Sequence, residues 1–239
     1  PMAVGLGDAD RMITACEAAG VKLAISHQRR FTLGWEKGRE LVAAGHLGTV
    51  QFAVSKLGHG LLNCGTHAID GVRFLLGDPV PQWVMGAVER TSGRFERDTP
   101  IEDGCLGLVH FADGSQLMIE SDLDMEGATV GTFQIRGTEG MMEVSETHCR
   151  TLTAAGWQDH DLGIPRDQID VIGGQANARQ TRELLGWIDE DLDTHRGAAR
   201  QGRVTVEIMM ALLESARQNA VIQLPMTEKG YPLELMLEE

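Results

Sequence analysis

Residues 103–123, DGCLGLVHFADGSQLMIESDL, decide the fold of this chain. Apolar and polar residues alternate through 103–111 and again through 115–123, with AlaAspGlySer (112–115) between the two segments. Alternation of period two indicates a β-strand, and a short turn containing Asp and Gly joins antiparallel neighbours. This stretch therefore predicts a β-hairpin.

The same alternation recurs on both sides of the hairpin. It is found in 82–90, 130–136, 140–146 and 148–153, and ArgGlyThrGluGly (136–140) is a second hairpin turn. Residues 47–56 also have a strand pattern, while 156–174 are rich in Pro, Asp and Gly and predict a loop. We therefore expect a mostly antiparallel sheet of about six strands over 82–153.

Helical periodicity surrounds this sheet. Helices are predicted over 9–19 (with Asp8 as N-cap), 35–44, 61–78, 176–193 and 203–219. ValLysLeuAlaIle (21–25) predicts a buried strand directly after the first helix, and a helix followed by a strand is typical of the end of an α/β unit. The predicted fold class is α+β: a large, mostly antiparallel open sheet with helices on one face, preceded by such an ending.

Composition excludes several classes of function. The 239-residue chain carries a net charge of −14, which does not favour nucleic acid or an anionic membrane surface as a partner. No apolar run reaches about 18 residues, so no membrane span is expected. The four cysteines are scattered without CxxC pairing, which indicates reduced thiols and a cytoplasmic protein.

Three polar residues interrupt the apolar face of the predicted helix LLNCGTHAIDGVRFLLGD (61–78). Asn63, His67 and Asp70 are spaced i, i+4 and i+7 and would form one stripe. His67 is a candidate general acid or base, Asn63 could bind a substrate hydroxyl, and Asp70 could fix the imidazole tautomer. The alternative is helix capping by Asn63 or Thr66, with Asp70 in the first turn.

Gln28, Arg29 and Arg30 follow the predicted strand 21–25. Ligands of open α/β sheets bind beyond the carboxyl ends of the strands, where arginines could hold phosphate, carboxylate or polyol oxygens. The alternative is an exposed loop with one salt bridge.

A metal centre is a weaker interpretation. His59, Cys64, His67 and Asp70 lie within twelve residues, but no second Cys/His pair follows, so no metal is predicted. A metal-dependent isomerase or hydrolase stays as an alternative. GlyLeuGly (5–7) and GlyGlyGln (173–175) lack the strand–GxGxxG–helix context of a dinucleotide site.

Several motifs together resemble the glucose–fructose oxidoreductase / inositol dehydrogenase / rhizopine catabolism (Gfo/Idh/MocA) family. They are ProMetAla at the start, AspAlaAspArgMetIle (8–13), HisGlnArgArgPhe (27–31), residues 36–50, AsnCysGlyThrHisAlaIleAsp (63–70), GluSerAlaArg (214–217) and ValIleGlnLeuPro (221–225). The resemblance implies a two-domain enzyme that moves a hydride between NAD or NADP and a sugar, polyol or related compound. The chain would hold residues 1–27 as the end of a Rossmann domain and 28–239 as a substrate-binding and oligomerisation domain, and alone it would be inactive.

The resemblance also implies roles for individual residues. His67 matches the catalytic histidine of the family, and Asn63 falls where aspartate is frequent, although an asparagine cannot act as a base. Arg29, Arg30 and Asp70 would bind substrate, and Pro1 and Gln28 would contact the cofactor.

Assembly and one further alternative follow from the predicted sheet. Family members commonly pair through its open face, so a homodimer or homotetramer is expected. Apolar residues on both sides of 103–111 and 115–123, such as Leu106, Val109 and Met118, are compatible with two covered faces, although one face could remain wet. The alternative function is a non-enzymatic sugar-binding or oligomerisation module.

Overall fold

The computed structural model describes residues 1–122, 124, 131–169 and 174–238. In this part of the chain a nine-stranded sheet packs its inner face against helices. The helices are α1 (Leu6–Ala18), α2 (Leu33–Ala43), α3 (Thr66–Leu75), α4 (Gly174–Ile188), α5 (Ala199–Gln218) and α6 (Pro232–Glu238). The strands are β1 (Val50–Leu57), β2 (Pro81–Glu89), β3 (Phe95–Glu96), β4 (Thr99–Pro100), β5 (Gly104–Phe111), β6 (Gln116–Asp122), β7 (Phe133–Gly137), β8 (Met141–Ser145), β9 (His148–Thr153), β10 (Gly156–Asp159) and β11 (Ile222–Gln223).

The strand order of the large sheet is β10-β9-β8-β7-β1-β6-β5-β2-β11, while β3 and β4 form a separate small hairpin. Strands β5 and β6 form the predicted hairpin, with Val109 opposite Leu117. The described pairs in the large sheet are antiparallel except β1 with β6, which run parallel with Ser55 opposite Ile119. The α+β fold with a large, mostly antiparallel sheet is therefore confirmed, and the sheet has more strands than predicted.

The alternation of β5 and β6 divides the sheet into a covered and an open face. Val109, Leu117 and Ile119 are fully buried beneath the helices. Leu106, on the opposite face, is 51% exposed. In the single chain one face is therefore packed and the other is open.

Helix α5 is the main cover of the inner face. Its residues from Thr205 to Ser215 are all buried, and Gly86 on β2 donates its backbone N–H to the Ser215 hydroxyl at 2.9 Å. A fully buried Leu or Met contributes about 1.5–3 kcal/mol. This helix therefore supplies much of the core on which the site-bearing helix α3 also rests.

Several expectations for single segments differ from the structure. Residues 21–25 form one isolated bridge, Ala24 with Ala198, because Leu23 accepts from the first residue of α5 and Ile25 donates to Gly197 in the preceding loop, and neither bonds to a strand. The N-cap of α1 is Gly5, so Asp8 lies inside the first turn. The expected loop 156–174 begins with β10, which extends the edge of the sheet through a hairpin with β9. Helix α6 (Pro232–Glu238) is not among the predicted helices.

Residues 123 and 130, at the ends of two predicted strands, lie outside the described residues. Across the described ranges, none of the helices combines the length and the apolar character that crossing a membrane requires.

Candidate active site

The predicted helix 61–78 is divided into two segments. Gly60–Gly65 form a π-helical turn, and α3 follows from Thr66. Gly65 is the N-cap of α3 and no side chain caps its first turn, so the helix-capping alternative is wrong. Isolated π-turns are frequent at functional sites. Here the turn carries Asn63 and leads directly to His67.

Asp70 lies at the centre of a buried hydrogen-bond cluster. Its carboxylate accepts two bonds from Arg30, Nε to Oδ2 and Nη2 to Oδ1, at 2.7 Å each, and faces His27 Nδ1 at 3.0 Å. Burial disfavours the charged carboxylate, yet His27 and Arg30 hold the pKa of Asp70 well below its ordinary value. Asp70 therefore fixes the tautomer of His27, and the prediction that it would fix the tautomer of His67 is wrong.

Arg30 connects this cluster to a second carboxylate. It donates to Asp78 Oδ1 at 2.8 Å, and its guanidinium lies 5.3 Å from the centre of the Phe74 ring. Burial opposes ionisation, but Asp70 and Asp78 raise the pKa of Arg30 above its ordinary value. The interpretation of Arg30 as part of an exposed loop with one salt bridge is therefore wrong.

Arg29 bonds to a different carboxylate from those that Arg30 contacts. Its guanidinium donates from Nη1 to Glu146, beyond β8, while its Nε is buried without a partner in the described residues. Only 9% of Arg29 is exposed. The 3₁₀-helix Gln28–Phe31 thus places two arginines on separate carboxylates, with Gln28 half-buried beside them.

His67 has an unusual environment for an imidazole. Its Nδ1 is buried and has no hydrogen-bond partner among the described residues, while the side chain as a whole is partly exposed. Burial, followed by the nearby His27 and Arg29, lowers the pKa of His67 to about 3. The ring is therefore neutral at pH 7, with Nε2 as the nitrogen left for a ligand.

Asn63 faces a cleft of about 300 Å³. It donates from Nδ2 to Glu96 Oε1 at 3.0 Å. Pro1, Arg97 and Thr99 line the same cleft with apolar neighbours. A small cleft with a few polar groups suits a small polar ligand.

Two groups of site residues went unrecognised in the sequence. Glu96, Arg97 and Thr99 lie in the long connection between β2 and β5, and the length of that connection is the one signal that could have indicated a functional loop. His27 was quoted only within the HisGlnArgArgPhe motif (27–31), and nothing in the sequence indicated its role, because its contacts with Asp70 and Thr66 arise only from tertiary packing.

The described residues give little support to a metal centre, a reactive cysteine or a phosphate site at the start of α1. Within the described residues no group of three His, Cys, Asp or Glu side chains is arranged to hold a metal ion. Burial raises the pKa of Cys64, which disfavours a reactive thiolate. The start of α1 is covered, since Gly7 donates its N–H to the Lys229 carbonyl at 2.8 Å.

Comparisons with known proteins agree with this architecture. Residues 52–143 match the family model of the GFO/IDH/MocA C-terminal domain. The chain is 24% identical to inositol 2-dehydrogenase 3 of Saccharopolyspora erythraea, with 96% of this chain and 69% of that protein covered. It is 29% identical to 1,5-anhydro-D-fructose reductase of Ensifer adhaerens, with 59% of this chain matched and about half (47%) of that protein spanned.

A solved structure shows the same fold. A levoglucosan dehydrogenase in complex with NADH and levoglucosan superposes with a TM-score of 0.77 at 18% identity, with 95% of this chain and 73% of that chain covered. With the match over the sheet, this confirms the resemblance predicted from the sequence. Residues 52–143 therefore have the sequence pattern of that C-terminal domain, and the two curated relatives are named as a dehydrogenase and a reductase.

Proposed function

We propose that this chain acts in an NAD(P)-dependent oxidoreductase that moves a hydride between nicotinamide and a hydroxyl or carbonyl carbon of a sugar, polyol or related compound. The observation that carries the proposal is His67: a neutral imidazole whose Nδ1 is buried, four residues after Asn63, which lines a small cleft with a few polar groups. Relatives named for inositol and for 1,5-anhydro-D-fructose support a polyhydroxylated substrate.

His67 is the proton-transfer residue of this proposal. A neutral ring accepts the hydroxyl proton at Nε2 when the substrate is oxidised and returns it when the carbonyl is reduced. Asn63, whose amide bonds Glu96 in the structure, presents its oxygen to a hydroxyl at or next to the reacting carbon. The nicotinamide, when bound, accepts or donates the hydride.

Pro1 and Gln28 are the proposed contacts to the nicotinamide end of the cofactor. Pro1 lies in the wall of the Asn63 cleft, and Gln28 precedes the buried Arg29. The GlyLeuGly segment (5–7) is unsuited to the dinucleotide phosphates, because Lys229 covers it. We propose that residues 1–27 are associated with cofactor binding through Pro1, while residues 28–239 bind substrate.

The three residues expected to bind substrate divide into two groups. Arg29 keeps an unpartnered Nε near His67 and is the better candidate for a contact with a substrate oxygen. Arg30 and Asp70 are each 1% exposed and bond to one another, so we propose that they hold the site in place. Direct contact of Arg30 and Asp70 with substrate stays a prediction. The burial of both side chains does not favour it.

The open sheet face is the proposed surface of a homodimer or homotetramer. Met85 and Leu106 are 49% and 51% exposed there, on neighbouring strands. Apolar residues on a flat sheet face are typical of subunit interfaces.

The test is an assay of the product of the whole gene with NAD⁺ and with NADP⁺ against a panel of polyols and sugars. We expect reduction of one nicotinamide cofactor with at least one polyhydroxylated substrate. Tight sugar binding without cofactor reduction would favour the alternative, a non-enzymatic sugar-binding module.

A further inference from the structure

Among the described residues, Nδ1 of His67 has no partner for the hydrogen bond that ordinarily orients a proton-transferring histidine. In such residues one ring nitrogen is held by a carboxylate or carbonyl while the other reaches the substrate. Here Nδ1 of His67 is buried and unpartnered in the described part of the chain. Packing must therefore set the orientation of this ring.

An aromatic side chain that packs against His67 is His27. The two ring centroids are 5.6 Å apart with an interplanar angle of 69°, which is an edge-to-face arrangement. Such aromatic contacts have a preferred geometry and contribute about 0.5–1.5 kcal/mol beyond their buried area.

His27 is itself fixed at both ring nitrogens. Asp70 accepts from Nδ1 at 3.0 Å, and in the neutral ring Nε2 accepts from the Thr66 hydroxyl at 3.2 Å. Thr66 is the first residue of α3 and immediately precedes His67. One buried ring therefore contacts the His67 side chain and also anchors the backbone from which it projects.

We propose that His27 is a positioning residue for His67: held by Asp70 and Thr66, it forms the wall that sets the direction of the His67 ring. The role in catalysis rests on the proposed function, whereas the orientation of the ring can be measured without turnover. Arg30 completes the arrangement, because its two bonds to Asp70 fix the carboxylate that holds His27.

The test uses histidine-labelled protein and the imidazole ¹H–¹⁵N spectra of the 239-residue chain. The variants are His27→Ala, which removes the wall, and His27→Phe, which keeps an aromatic wall. His195→Ala is the matched control, since His195 is equally buried but contacts Phe31 and Trp187. Circular dichroism checks folding, and His27→Leu replaces His27→Ala if that variant is unfolded.

The proposal predicts one set of neutral His67 signals in the wild type and in His195→Ala. In His27→Ala the signals split or broaden, and the His67 titration midpoint rises by at least about 1 pH unit, because the ring gains water and new rotamers. His27→Phe keeps a single set. An unchanged His67 spectrum in folded His27→Ala, or in His27→Leu where that variant replaces it, would overturn the proposal.

Kinetics of the catalytically active protein provide the second readout. His27→Ala should lower kcat by about 10- to 100-fold through misplacement of His67, with the KM for the substrate and the Kd for the dinucleotide almost unchanged. His27→Phe should recover most of this loss. Normal turnover in His67→Ala would contradict the proposed function, while the spectra would still decide whether His27 orients the ring.

Discussion

Arg30 and Asp70 form a bidentate ion pair inside the protein, with both N–O distances at 2.7 Å and each side chain only 1% exposed. The pair ties the 3₁₀-helix Gln28–Phe31 to α3, the two segments that carry most of the candidate site. Two groups selected as ligand contacts are thus bonded to one another. Their contribution is to hold His27 and the start of α3 in place.

Breaking this pair should destabilise the fold. Asp70→Asn leaves the buried Arg30 charge with Asp78 as its remaining carboxylate, and losing one partner of a buried pair costs about 3 kcal/mol or more. Urea unfolding at neutral pH measures the loss. Asp8→Asn, which breaks the exposed pair with Arg11, should change stability by less than about 1 kcal/mol. Equal effects in the two variants would contradict the assignment of Arg30–Asp70 as a structural anchor.

His67 should make the protein less stable as the pH falls. The folded ring has a pKa of about 3 and the ordinary value is 6.5, so between these values the unfolded chain binds a proton that the folded chain does not. Acidification from pH 6 to pH 4 should therefore cost up to about 1.4 kcal/mol per pH unit from this residue.

The measurement is the unfolding free energy of wild type and His67→Gln across that range. His67→Gln should have the shallower dependence, because it lacks the contribution of the His67 ring. Some dependence should remain, because burial also lowers the pKa of His160 and His195. Parallel curves for wild type and His67→Gln would show that the folded ring titrates normally.

Gly71 should not tolerate a side chain. A Cβ there would overlap the Trp35 ring and lie 2.9 Å from Phe133 Cζ, both in the core. Gly71→Ala should cost about 1–3 kcal/mol from overpacking, measured by thermal or urea unfolding. Gly104→Ala, whose Cβ would have its nearest neighbour at 3.6 Å, serves as the control and should be close to neutral.

The open sheet face should control association. Leu106→Glu places a charge among apolar residues of that face and should shift the protein toward smaller species in analytical ultracentrifugation, if the proposed interface is correct. Leu185→Glu, a similarly exposed leucine on α4, should leave the sedimentation unchanged. An equal response of the two variants would argue against the sheet face as the interface.

The sheet could be predicted where its pairing is local. The β5–β6 hairpin follows from alternation and a short turn, both contained in 103–123. The insertion of β1 between β6 and β7 involves partners distant in sequence, which no local pattern encodes. The segment 21–25 has strand composition but bonds to the loop before α5, so tertiary context overrides its propensity.

The candidate site was predictable by residue type but not by partner. Asn63, His67 and Asp70 were selected as one helical stripe, but the π-turn and the ion pair direct them differently: Asn63 to Glu96 and Asp70 to His27 and Arg30. The pairing with His27 depends on how the 3₁₀-helix packs on α3, and this is information that only the folded structure contains.

The most direct test of the central claim is the turnover of His67→Ala in the product of the whole gene, with its preferred nicotinamide cofactor and polyhydroxylated substrate. We predict that kcat falls by about 100-fold or more, as expected when a general acid–base group is lost, while the Kd for the dinucleotide is unchanged. Wild-type turnover in this variant would contradict the assignment of proton transfer to His67.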